Sequence, residues 1–136
     1  MSARTKSPEG VNPKDLLGAM KVSITKLPAI AILHAAHAMM NGAVKYGAYN
    51  WRDKNVIATI YVDACMRHVL AWLCGETCAP DSGVHHLGHA IACLAILLDA
   101  QACGTLHDDR PIDSNFAAVL ARLNAQIGGL NADRKA

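Results

Sequence analysis

Between residues 41 and 89 the chain reads NGAVKYGAYNWRDKNVIATIYVDACMRHVLAWLCGETCAPDSGVHHLGH, and most of its chemically able side chains fall there. Glu76, Asp81, His86 and His89 lie across one short turn between two apolar runs, with Asp63 upstream. Carboxylates and imidazoles gathered by such a turn can hold a divalent cation. Oxygen ligands suit Mg²⁺ or Mn²⁺, and imidazole shifts the preference toward Mn²⁺. The same residues admit a plainer reading, in which Asp81 and Ser82 cap a helix and the histidines bond backbone or solvent. Arg67 beside His68 and Lys45 beside Tyr46 are cations of the kind that neutralise a phosphate chain. Equally, Arg67 can pair with Asp63, and Lys45 can sit at a helix C-terminus by the dipole. Tyr46, Tyr49 and Trp51 offer faces on which a base can stack, or anchors that hold a short loop. Trp72, in an apolar run, reads as core.

These residues need helices to position them. Pro28 suits the start of a helix that runs to about Tyr46 and stops at Gly47. On it Ile32, Ala35, Met39 and Ala43 form one face, and His34, His37, Asn41 and Lys45 the other. Asn55 is placed to cap a second helix that ends at Cys74 and Gly75, with His68, Trp72 and Glu76 four apart. TCAPDSGV is a turn. A third helix runs from about His85 to Cys103, with His86 and His89 one turn apart. Asp113 or Ser114 caps a last amphipathic helix, FAAVLARLNAQI, before Gly128 and Gly129. The expected fold is all-α, a compact four-helix unit spanning residues 14–127, between a flexible arm (1–13) and a flexible tail (128–136).

Composition narrows the function. With 52% hydrophobic and 18% charged residues in 136, a single domain exposes apolar surface and is expected to form a homodimer or homotetramer. A net charge of +2 without a basic stripe argues against nucleic-acid binding. Polar residues interrupt each apolar run before the roughly 20 residues a membrane span needs, and a cytoplasmic location is expected. Of the five cysteines, Cys65, Cys74, Cys93 and Cys103 fall in expected helix interiors and read as small buried hydrophobes. Cys74, Cys78, His86 and His89 only loosely imitate a zinc pattern, and the doublet His107–Asp108 lies in a loop without a distal aspartate to complete an HD phosphohydrolase site.

The blocks GAVKYGAYNW, DACMRHVLAWLCGE and PDSGVHHLGHA, in that order, resemble the phage and prophage family of dATP/dGTP diphosphohydrolases (N-terminal type). That family is tied to the MazG-like all-α nucleotide pyrophosphohydrolases. Two positions depart: Ala79 stands where the family tends to have aspartate, and Asp81 where it has glutamate. The carboxylate run of MazG proper (EExxE, then ExxD) is absent. The resemblance implies hydrolysis of a purine deoxynucleoside triphosphate, dGTP or dATP, to the monophosphate and pyrophosphate, with Mg²⁺ or Mn²⁺. Its setting would be phage nucleotide-pool remodelling such as 2-aminoadenine DNA synthesis. On that reading Glu76, Asp63, Lys45 and Arg67 are catalytic. Tyr46, Asn50, Trp51, His68 and Ser82 meet the substrate, and Asp63, Glu76, Asp81, His86 and His89 hold the metal. The alternatives are an HD-like phosphohydrolase releasing triphosphate or phosphate, and a non-catalytic helical nucleotide sensor or assembly protein.

Overall fold

A computed structural model describes residues 10–135. The expected N-terminal arm falls mostly on residues 1–9, outside that range. The chain is all-α: α1 (Pro13–Ala19), α2 (Ala29–Tyr46), α3 (Ala58–Leu73), α4 (His86–Cys103) and α5 (Phe116–Lys135), with 3₁₀ turns at Ile24–Lys26 and Asn50–Arg52. Sequence periodicity did not reveal one short pairing. β1 (Val56–Ile57) runs parallel to β2 (Leu106–His107), with Val56 opposite Leu106. This pairing occupies the backbone where Asn55 was expected to cap α3. Ile57 is the cap residue instead and makes no side-chain capping bond. The first turn of α3 is satisfied from afar, by Asp109 Oδ1 accepting from the Thr59 N–H at 2.9 Å.

α4 is the central helix, packed against α2 on one side and α3 on the other. Its 18 residues, of mean hydropathy 1.4, are long and apolar enough to cross a bilayer. Here they lie between two helices and carry His86, His89 and Asp99 in polar contacts. Two small clusters make the core. One joins Ala38, Val84 and Ala92; the other joins Trp51, Val56 and Ala100; Met39 packs against both. Among the described residues six of the ten buried hydrophobic ones are alanines, so the helices approach closely but bury little area. The approach is close at Gly88, where a Cβ would stand 2.5 Å from the His34 carbonyl oxygen.

Two expectations fail in the outer parts of the fold. Trp72, read as core, is 44% exposed. Helix α5 does not end at Gly128 and Gly129 but continues to Lys135, and its described residues are exposed throughout. The packed unit is therefore α2, α3 and α4, without the fourth helix.

Candidate active site

The loop between α3 and α4 brings the polar residues of the two helices together. Gly75, with φ of 105°, ends α3 in a conformation that favours glycine. The chain then folds back tightly: Gly83 N–H donates to the Ala79 carbonyl at 2.8 Å, Ala79 N–H to Val84 at 2.9 Å and His86 N–H to Thr77 at 3.0 Å. Val84, 1% exposed, anchors the loop in the core. Neither Asp81 nor Ser82 caps α4. The His85 ring does, accepting from the Leu87 N–H at 3.0 Å.

A chain of hydrogen bonds runs across the helix junction. Glu76 Oε1 lies 2.6 Å from His86 Nε2, and His86 Nδ1 lies 2.9 Å from His68 Nδ1. An ionised carboxylate only accepts, so a neutral His86 carries its proton on Nε2 and presents Nδ1 as a lone pair. One proton must then lie between the two Nδ1 atoms, and His68 supplies it. His68 is thereby held in the Nδ1–H tautomer, its Nε2 lone pair unengaged among the described residues. The ring of His89 stacks on His68, centroids 4.5 Å apart and 17° from parallel. Ser82 Oγ accepts from the Val84 N–H and lies 3.0 Å from His89 Nε2, to which it can donate. His86 is 5% exposed and both its nitrogens are satisfied. Burial, His86 and Arg67 lower the His68 pKa, and burial and His68 lower that of His89; Asp81 opposes both shifts. Both rings are thus neutral at neutral pH.

His68 and His89 line a cavity of about 670 Å³, within the range that holds a small-molecule ligand. Asn41, Lys45, Tyr46 and Asn50 border it from α2 and the following turn; Tyr61 comes from α3, and Cys93 and Ile96 from α4. Trp51 forms one wall. Its indole Nε1 donates to Asp99 Oδ2 at 2.6 Å, and Arg52 forks onto the same carboxylate at 2.8 and 2.9 Å. These bonds hold the Asp99 carboxyl at about 2, below its ordinary 3.8, and raise the Arg52 guanidinium. At the rim Tyr49 adopts φ of 54°, uncommon for a side-chain-bearing residue. Its ring lies 4.4 Å below the Arg52 guanidinium and 5.3 Å from Trp51.

Of the residues expected from sequence, Lys45, Tyr46, Asn50, Trp51, His68 and His89 all line the cavity. Trp51 is 7% exposed and bonded at its edge, so it is a wall rather than a free stacking face. Arg67 and Asp81 are exposed beside the histidines whose charge they influence. Glu76 and His86 stand behind His68. Asp63 is exposed on α3 and neither lines the cavity nor bonds the histidines. It does not pair with Arg67 either: among the described residues the ion pairs are Arg52–Asp99, Glu76–His86 and Arg110–Asp108. The last of these engages the aspartate of the His107–Asp108 doublet. Cys74 and Cys78 are exposed free thiols.

Sequence reasoning missed Asp99, Arg52, Tyr61 and Cys93. Asp99 left one signal, as the lone acid in the apolar run IACLAILLDAQAC, because an acid on such a helix needs a partner.

The donors present do not make a hard-cation site within one chain. Among the described residues no three His, Cys, Asp or Glu side chains converge to hold a metal. Of the five expected ligands, Glu76 and His86 meet as a hydrogen-bonded pair, and His89 turns to Ser82. Mg²⁺ asks for several oxygens in octahedral array, whereas the groups nearest one another here are imidazoles.

No curated protein and no solved structure is significantly similar to the chain. Residues 11–110, which carry every side chain named in this site, match the family described as dATP/dGTP diphosphohydrolase, N-terminal, and the chain belongs to that family of hydrolases.

Proposed function

We propose that the chain hydrolyses a purine deoxynucleoside triphosphate, dGTP or dATP, to the monophosphate and pyrophosphate, with His68 as the base. The observation that carries this reading is the Glu76–His86–His68 chain of hydrogen bonds ending at a ligand-sized cavity. In this mechanism the nucleoside lies in the cavity against Tyr61, Ile96 and Trp51, with the triphosphate toward Lys45 and Arg67. A water attacks the α-phosphorus, and its proton passes to His68 Nε2. The bond from the α-phosphorus to its bridging oxygen breaks, and pyrophosphate leaves carrying that oxygen. Lys45 and Arg67 stabilise the charge that grows on it. His86 and Glu76 share the positive charge that His68 acquires, which makes Glu76 a positioning residue rather than a metal ligand. The family resemblance also implies Mg²⁺ or Mn²⁺ dependence, which the donors of one chain do not account for, together with a deoxyribose preference and a role in phage nucleotide pools.

The test is a panel of dNTPs and NTPs with Mg²⁺, with Mn²⁺ and with chelator, the products separated by ion chromatography. Pyrophosphate and monophosphate in equal amounts from dGTP or dATP are expected. Release of triphosphate or orthophosphate, or nucleotide binding without turnover under all three conditions, would end this reading.

A further inference from the structure

Helix α5 lies beyond the residues that match the family, and its described residues are all exposed. Val119 apart, its large apolar side chains are Phe116, Leu120, Leu123, Ile127 and Leu130, at successive spacings of four, three, four and three. They are 70%, 46%, 46%, 57% and 64% exposed. A mean spacing of 3.5 is the repeat of helices that pack along a narrow seam, whereas a helix lying on a globular core shows a broader stripe. Gly128 and Gly129 lie off the seam, but each weakens a helix interior by about 1 kcal/mol. An unpacked helix of this length is marginal in water even without glycines. Contacts within its own chain therefore do not account for α5.

The flanking positions Ala117, Val119, Asn124, Gln126 and Asn131 carry no charge, so an identical helix meets no like charge beside the seam. The surface area argues the same way. The chain exposes 11028 Å², whereas a compact monomer of 14.4 kDa exposes about 6,800 Å². The first nine residues, outside the described range, could supply at most about 1,400 Å² of that surplus even if fully extended. What remains exceeds the roughly 800 Å² per partner of a standard interface.

We propose that α5 is an assembly helix, pairing along the Phe116–Leu130 seam with α5 of a second copy of this chain. Five seam positions make a short coil, and the same two copies can bury more apolar surface on α2 and α3, where Leu33, Val44, Met66 and Leu73 are over half exposed. This inference is independent of the proposed chemistry, because α5 supplies none of the cavity residues.

Light scattering on the full-length chain during size-exclusion chromatography tests it. The wild type is expected at twice the mass of one chain or a higher even multiple. The double variant Leu120→Asp/Leu123→Asp should fall to a smaller assembly, with circular dichroism confirming that the body stays helical. Ala125→Lys, on the face away from the seam, should keep the wild-type mass. A monomeric wild type, or a double variant that keeps the wild-type mass, overturns the proposal.

Discussion

At the C-terminal end of α4, Asp99 accepts from Trp51 and twice from Arg52. Its charge is met by a guanidinium, and the Cys103 thiol also turns to it at 3.8 Å. At the N-terminal end of the same helix, Glu76, His86 and His68 are joined end to end, and the last ring reaches the cavity with one nitrogen over. Both networks pair polar side chains that are only partly exposed to water, Arg52 and Glu76 being the most open members. A saturated cluster fixes geometry, which suits a cavity wall. A cluster one partner short holds a basic nitrogen in a set tautomer, which suits a proton transfer. If this contrast is right, substitutions at the two ends should separate: the open end governs turnover, and the closed end governs stability.

The largest effect is expected at His68. His68→Ala should lower kcat/KM by about 100- to 10,000-fold while circular dichroism shows the helices intact. An unchanged rate would remove the relay from the mechanism. Because burial, with His86 and Arg67, lowers the His68 pKa, the neutral, active form prevails at neutral pH. Activity should therefore be lost as pH falls through that lowered value, along a limb lying below the ordinary imidazole 6.5. Glu76→Gln should cost less, on the order of tenfold to a hundredfold, since an amide oxygen can still accept from His86 Nε2 but brings no charge. A loss confined to kcat would mark Glu76 as orienting His68; a loss in KM alone would place it at the substrate instead.

What the sequence disclosed and what it hid follow from the same distinction between local and distant contacts. Gly47 and Gly75 announced the ends of α2 and α3 because helix termination is a local matter. The block from Lys45 to Trp51 was legible as part of a site because its residues share one turn. The relay was not legible: His68 and His86 stand 18 residues apart and meet only when α3 packs on α4. Spacing alone brought His86 and Glu76 to one turn but could not show the hydrogen bond that joins them. Asn55 looked like a cap because its type favours caps, but strand pairing with Leu106 and Asp109's reach to Thr59 took over that end of α3. Trp72 was placed inside by its hydrophobicity, yet it is 44% exposed. Gly128 and Gly129 were read as a stop from their intrinsic cost, yet α5 runs through them.

A backbone change should strike the open end without touching either network's side chains. In Gly88→Ala the new Cβ meets the His34 carbonyl oxygen at 2.5 Å and its carbon at 2.9 Å. Backbone cannot swing aside as a side chain can, so α2 must move off α4, at about 1–3 kcal/mol of stability. Urea unfolding measures this. Turnover should fall as well, because α2 brings Lys45 and Asn41 to the cavity. Stability equal to wild type would mean that the helices are not so closely apposed.

The smallest effect is expected at the closed end, and it carries a sign. The Arg52 and Trp51 hydrogen bonds depress the Asp99 carboxyl from 3.8 to about 2. Its ionised form thus stabilises the fold above the ordinary value, and that contribution disappears as pH falls toward 2. Asp99→Asn removes the titrating group but keeps one acceptor oxygen for Trp51. The variant should unfold at lower urea than wild type near neutral pH, and the gap should close on acidification. The gap should be modest, since the pair is partly exposed and screened by salt. Asp108 and Asp109 are depressed as well, so the informative quantity is the difference between wild type and variant at each pH, not either curve alone. Turnover near neutral pH should change far less than in Glu76→Gln. Were it to fall as far, Asp99 would belong to the reaction, and the division between a wall-fixing end and a reacting end of α4 would not hold.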